Sequence, residues 1–275
     1  MDNRPIGVFD SGTGGLTAME ELIALLPREH IIYLGDSYNM PYGEKTVDKI
    51  IELARADLRF MLERGVKAIL IACGTVTANA LEILVRESPV PVLGVVDAAV
   101  SEALDATKNG RIGVLATSAS IRAETFQRRL KAARGDLVVK ARACPVFASM
   151  AEDGIFNKDD PRVRAAAGEY LPPLKAAEVD TVILGCTHYP LLSEVIREFV
   201  GEDVNLISSG AAAARSLGAY LEKSGLTAGD EHKIEYYTTG DRDCFVKSAE
   251  CMLKRDISDE LTKIPPLCFD KTQNT

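Results

Sequence analysis

Eight short aliphatic runs set the limits on what this chain can fold into. They fall at 5–9 (PIGVF), 31–34 (IIYL), 67–72 (KAILIA), 91–96 (PVLGVV), 111–116 (RIGVLA), 137–143, 181–185 (TVILG) and 204–207. Most place apolar residues at consecutive positions, the pattern of strands covered on both faces in a parallel sheet. Longer amphipathic stretches fill the intervals, at 14–26, 45–64, 75–87, 97–107, 119–133, 160–177, 189–199 and 209–223. The class is α/β.

The chain also repeats itself. IGVFDSGTGG at 6–15 resembles IGVLATSASI at 112–121, Asp36 in YLGD precedes Cys144 in ACPV by 108 residues, and Cys73 precedes Cys186 by 113. Three near-equal offsets in the same order indicate two pseudo-symmetric domains, each a mostly parallel sheet flanked by helices. We expect the first over 1–97 plus 208–275, completed by the C-terminal segment, and the second over 98–207. A chain of 275 residues suits about two domains. Open α/β sheets bind ligands at the carboxyl ends of their strands, so two facing units place the active site in the cleft between them.

Two of those strand ends carry thiols. ILIACGT at 69–75 stops at Cys73, and VILGCTH at 182–188 stops at Cys186. A lone cysteine ending a buried strand serves as a small hydrophobe. Two of them, each followed by a threonine where a helix is expected to start (Thr75 and Thr187), ask for more. The positive end of a helix favours a thiolate, and an ordinary thiol titrates near about 8.5. Thiols facing each other across a cleft suit a disulfide switch. They equally suit two-base racemisation, in which one thiolate takes an α-proton while the other thiol delivers one to the opposite face.

Asp10 in FDSGTGG and Glu152 in FASMAEDG stand at comparable sheet edges, one in each half. Either could orient a substrate ammonium or shuttle a proton from a thiol. Equally, Asp10 could cap the glycine-rich turn, and Glu152 could be a solvated loop residue. His188 lies two residues past Cys186, placed to support its proton traffic or to be a hydrogen-bonded turn histidine. DSGTGG lacks the GK[ST] of a P-loop and the third glycine of G-x-G-x-x-G. Its backbone N–H groups at a helix start can still hold a carboxylate. MPYGEK at 40–45 is a second turn with such donors, so an anionic small molecule needs no arginine clamp.

The bulk properties exclude several classes. With 47% hydrophobic and 26% charged residues, the chain is an ordinary globular one able to bury sizeable cores without staples. A net charge of −8, with Arg128, Arg129 and Lys131 scattered on helix-like segments, argues against nucleic acid as a partner. The N-terminus MDNRPIGVFD has no secretory pattern, and no run reaches the length of a membrane span. We therefore expect a cytoplasmic protein with no membrane partner. Its six cysteines, at 73, 144, 186, 244, 251 and 268, form no C-x-x-C pair and read as free thiols. Three histidines far from paired cysteines make no zinc set, so no metal is expected.

Taken in order, FDSGTGGLT (9–17), YLGDSYNMPYG (33–43), IACGT (71–75), LATS (115–118), ACPVF (143–147), LGCTHYPLL (184–192) and YYTTGD (236–241) resemble the glutamate racemase family of the aspartate/glutamate racemase superfamily. The segments span nearly the whole chain, and LGCTHYPL with FDSGxGGL is a specific combination. The resemblance implies an isomerase that needs no cofactor and supplies D-glutamate to bacterial cell-wall peptidoglycan. It implies Cys73 and Cys186 as the acid/base thiols, Cys73 acting on D-glutamate and Cys186 on L-glutamate, with Asp10, Glu152 and His188 assisting. Asp10, Ser11, Pro41, Tyr42, Gly43, Gly74, Thr75, Thr117, Thr187 and His188 would hold the substrate. A homodimer is compatible with it. A racemase for aspartate or another amino acid is the alternative, followed by a non-catalytic amino-acid-binding or redox-sensing module.

Two departures stand out. Family members usually read CNT where this chain has Cys73-Gly74-Thr75, so an amide that faces the substrate is missing. That loss is worth roughly 1 kcal/mol unless a water fills the gap or the preferred substrate differs. Ser208 stands where many members have Asp and reads as structural. With the first strand expected within about five residues of the start, the N-terminal extension that some relatives use would be lacking, and we expect no activation by a cell-wall precursor. The end, PPLCFDKTQNT, reads as a loose tail with no catalytic role.

Overall fold

The computed structural model describes residues 1–229 and 232–269, so the last six residues of the expected tail lie outside the described residues. Ten strands are seen: β1 (Ile6–Asp10), β2 (His30–Gly35), β3 (Ala68–Ile71), β4 (Val92–Gly94), β5 (Arg111–Ala116), β6 (Val138–Ala143), β7 (Thr181–Leu184), β8 (Asn205–Ser208), β9 (Lys233–Thr238) and β10 (Leu261–Lys263). They make a six-stranded sheet in the order β10-β9-β2-β1-β3-β4 and a four-stranded sheet in the order β6-β5-β7-β8. Every pairing is parallel. Helices cover both faces of each sheet, which is why the central strands carry unbroken apolar runs.

Alternate residues of each strand face opposite cores. In the larger sheet, Ile6, Val8, Tyr33 and Leu70 meet Leu16, Met19, Ala213 and Leu217 of helices Leu16–Leu25 and Ser209–Lys223. Phe9, Ile32, Leu34 and Ile69 pack the other way, on Ile50, Leu53 and Ala54 of helix Val47–Leu62. The smaller sheet repeats the plan, with Leu115, Val182 and Leu184 on one side and Ile112, Val114 and Ile183 on the other. Helix Val95–Ala106 carries the chain from the first sheet to the second, helix Ser209–Lys223 carries it back, and the two pack together. Among the described residues, no helix is long and apolar enough to cross a membrane.

Several boundaries differ from the sequence reading. The apolar run 91–96 is a strand only to Gly94, where it is partly buried; Val95 and Val96 are buried but begin a helix, a distinction that periodicity in a short run does not carry. The stretch 119–133 breaks into Ser118–Ala123 and Thr125–Ala133 at Glu124, whose φ is 54°. The stretch 160–177 breaks before Pro172, which lacks a backbone donor. Helices Pro145–Glu152 and Arg242–Leu253 and strands β9 and β10 add to the expected set.

Candidate active site

Cys73 follows β3 and is the N-cap residue of helix Gly74–Glu87. Its thiol lies 3.5 Å from the Ser11 hydroxyl oxygen, beyond the end of neighbouring β1. Burial pushes this thiol up to about 12, and the carboxylate of Asp10 adds to the rise. Hydrogen bonds from Ser11 and from the Val76 N–H pull the other way and lose. The helix start expected to favour the thiolate is therefore outweighed by desolvation. Thr75 lies within the first turn, not at the cap, and its hydroxyl bonds that of Thr117 at 2.9 Å.

Cys186 sits differently. No α-helix begins behind it: Thr187 and His188 lead into a 3-10 turn, Tyr189–Leu192, and the α-helix starts at Ser193. What stands beside the sulfur is His188, with Nδ1 at 3.7 Å. The Nε2 of the same ring is 2.5 Å from Glu152 Oε1, and Thr13 donates to Glu152 Oε2 at 3.3 Å. Burial opposes charge on the imidazole, but Cys186 and Glu152 outweigh it and hold His188 well above its ordinary pKa. Glu152 closes helix Pro145–Glu152, so it is a helix-end residue aimed at the histidine, not a solvated loop residue.

Both thiols border one cavity of about 400 Å³ at the carboxyl ends of the two sheets. Ser11, Pro41, Tyr42, Gly43, Gly74 and Thr75 line it from the larger sheet's side, with Thr117, Glu152, Thr187 and His188 opposite. Asp10 alone of the expected residues does not border it. The Asp10 carboxylate is turned inward, accepting from the Gly12 N–H at 2.9 Å and from the Thr187 hydroxyl at 3.4 Å. Burial raises its pKa, against which the charge on His188 works. Thr17 adds a bond to the Thr187 carbonyl at 3.0 Å. No Arg or Lys borders the cavity among the described residues, so an anion there would rely on hydroxyls and backbone N–H groups.

Sequence reasoning missed part of this lining. Met40, Glu44, Pro145, Val146, Ala148, Ser149 and Asp153 also border the cavity. Proximity to MPYG and ACPVF was the available signal; none is chemically distinctive. Behind the cavity, the Tyr42 hydroxyl lies 2.5 Å from Asp36 Oδ2 and 3.3 Å from Asp57 Oδ2. Nothing in the helical pattern of 45–64 marks Asp57 as buried. Gly74 borders the cavity, and a Cβ built on its backbone would lie 2.1 Å from the Gly185 carbonyl oxygen.

Two parallel α/β units that close a buried thiol and a histidine-flanked thiol around one small cavity define a class of acid/base enzyme. Residues 6–217 match the Asp/Glu/Hydantoin racemase family, and the chain belongs to it. It is 40% identical over 252 residues to the glutamate racemase of Lactococcus lactis subsp. cremoris, covering 91% of this chain and 92% of that protein. Its fold is similar to the glutamate racemase isoform RacE1 from Bacillus anthracis, with TM-score 0.91, 34% identity, and 97% and 100% of the two chains covered. It is also similar to the glutamate racemase from Francisella tularensis solved with D-glutamate, with TM-score 0.89, 33% identity, and 98% and 99% covered.

Proposed function

We infer that this chain is a glutamate racemase that interconverts L- and D-glutamate without a cofactor, using Cys73 and Cys186 as its two bases. The observation that carries the reading is that two thiols, one from each sheet, border the same cavity. Cys186 takes the α-proton of L-glutamate while the Cys73 thiol delivers a proton to the opposite face; the reverse reaction exchanges the roles. With its pKa pushed up to about 12, Cys73 rests as a thiol, ready to donate in the L-to-D direction. His188, held between Cys186 and Glu152, moves the proton that Cys186 gains or loses.

We assign substrate holding to Ser11, Pro41, Tyr42, Gly43, Gly74, Thr75, Thr117, Thr187 and His188. The first N–H groups of helix Gly74–Glu87 have no helical partner and suit a carboxylate. Asp10 acts through Thr187. We keep the domain division at 1–97 plus 208–275 and 98–207 as part of the same reading, supported by two sheets that share no strand. On the strength of the resemblance, we place the reaction in the cytoplasm, supplying D-glutamate to peptidoglycan.

The test is incubation with L-glutamate in D2O and no added cofactor, following optical rotation and α-deuterium together. Rotation should decay as deuterium enters the product. Cys73→Ala and Cys186→Ala should each slow racemisation by about 10²–10⁴-fold, the usual weight of a general acid or base. Parental rates in both variants would remove the thiols from the mechanism. Exchange with aspartate but not glutamate would reassign the substrate.

A further inference from the structure

We propose that Thr239 is a positioning residue whose hydroxyl, acting through Asp36, holds the turn at 41–43 in place against the substrate. The inference rests on the glutamate-holding role given above to Pro41, Tyr42 and Gly43. Those three residues border the cavity, yet they belong to an irregular stretch between β2 and helix Val47–Leu62. Among the described residues, no side chain caps either of its 3-10 turns, Ser37–Asn39 and Tyr42–Glu44. Its placement has to come from side chains packed around it.

The buried carboxylate of Asp36 is where those side chains meet. It accepts from the Thr239 hydroxyl at 2.6 Å on Oδ1, and from the Tyr42 hydroxyl at 2.5 Å and the Asn39 amide at 3.0 Å on Oδ2. Tyr42 is thereby tied to the end of β2, where the Asp36 N–H donates to the Asp10 carbonyl at 3.0 Å. Of the three donors, Thr239 is the one that lies outside the stretch. Its oxygen also accepts from the Tyr38 N–H at 3.0 Å. A hydroxyl with one proton and two lone pairs makes both bonds at once, so a single side chain serves the carboxylate and the backbone of the same turn.

Thr239 can anchor the stretch because its own position does not depend on it. It directly follows β9, which pairs with β2 through Thr238 and Gly35 and with β10 on its other edge. Its N–H donates to the Gly35 carbonyl at 3.3 Å. Gly240 then lies so close that a Cβ on it would stand 2.7 Å from Ser37 Cβ and 3.1 Å from the Ser37 carbonyl carbon. Support runs from the sheet to Thr239, to Asp36, to Tyr42 and the cavity wall. Removing the hydroxyl deprives a buried carboxylate oxygen of its closest donor and leaves the Tyr38 N–H without that acceptor. The stretch shifts to satisfy them, and the cavity wall shifts with it.

Thr239→Val, Thr239→Ser and Asn39→Ala would be compared with the parent by steady-state kinetics on L- and D-glutamate and by thermal melts. Thr239→Val keeps the shape and loses the hydroxyl. It should raise KM about tenfold for both enantiomers, the scale of one lost hydrogen bond to a charged group, with kcat within about threefold of the parent. Thr239→Ser, which keeps the hydroxyl, should restore KM. Asn39→Ala removes a different donor from Asp36 and should raise KM about threefold; it carries the test if Thr239→Val does not fold. A residue that only supports the fold would lower Tm and leave KM unchanged in the folded enzyme. A folded Thr239→Val with parental KM, or a raised KM that Thr239→Ser does not restore, would overturn the proposal. So would parental KM in Asn39→Ala where Thr239→Val does not fold. A parent that does not racemise glutamate would instead overturn the reading of function beneath it.

Discussion

Asp57 is fully buried in the middle of helix Val47–Leu62, and its Oδ1 has no hydrogen-bond partner. Tyr42 has one phenolic proton and two neighbouring carboxyl groups. The 2.5 Å contact to Asp36 takes that proton, so the 3.3 Å contact to Asp57 is best made by a protonated Asp57 donating to the phenolic oxygen. Burial first, and then the nearby charge of Asp36, raise Asp57 well above its ordinary pKa of 3.8. The folded state thus holds a proton that the unfolded chain releases above about pH 4, and stability falls as pH rises from there toward the raised value. Asp57→Asn removes that slope while keeping a donor for Tyr42. It should match the parent in Tm near pH 4 and exceed it at pH 8 by a few degrees, since about 1 kcal/mol moves Tm by roughly 2–4 °C at this size. Thermal unfolding at the two pH values checks it; an equal difference at both would mean that Asp57 is charged in the folded protein.

Ser208 ends β8 and caps helix Ser209–Lys223, accepting from the Ala211 N–H at 3.3 Å. Where many family members have Asp, Ser208 preserves a capping oxygen. Ser208→Ala should cost about 0.5–2 kcal/mol of stability, while Ser208→Asp should keep or slightly raise it through the helix dipole. Neither should change kcat. Denaturant melts with parallel assays decide this, and a kcat change without a stability change would move Ser208 into the site. Such elements also show what was legible beforehand. The inner strands could be read because burial on both faces demands unbroken apolar runs. β9, with sequence KIEYYT, is only partly covered and carries charges, so it left no such mark. At the candidate site, Cys73 and Cys186 stood out because thiols at two strand ends are unusual, whereas Glu152 and His188 were singled out chiefly by the family resemblance. Met40, Val146 and Asp57 were not, since only tertiary packing separates them from ordinary turn or helix residues.

The whole molecule is two sheets joined by two packed crossing helices at one side and closed by hydroxyls and glycines at the other. The bonds of Thr75 to Thr117, Thr17 to Thr187 and Thr13 to Glu152 all cross that seam. A ligand in the cavity touches both halves, so its binding energy adds to the coupling between them and not to one half alone. In a Cys73→Ala, Cys186→Ala double variant, which cannot convert one enantiomer during the scan, D-glutamate at about 100 times its Kd should stabilise the fold by about 2.7 kcal/mol. At roughly 2–4 °C per kcal/mol, this is a Tm rise of about 5–11 °C within a single transition. Calorimetry with and without ligand measures it. Two transitions, only one of them moved by D-glutamate, would mean that the halves unfold separately and that the ligand rests on one of them. A cleft of that kind could not hold two thiols in fixed opposition.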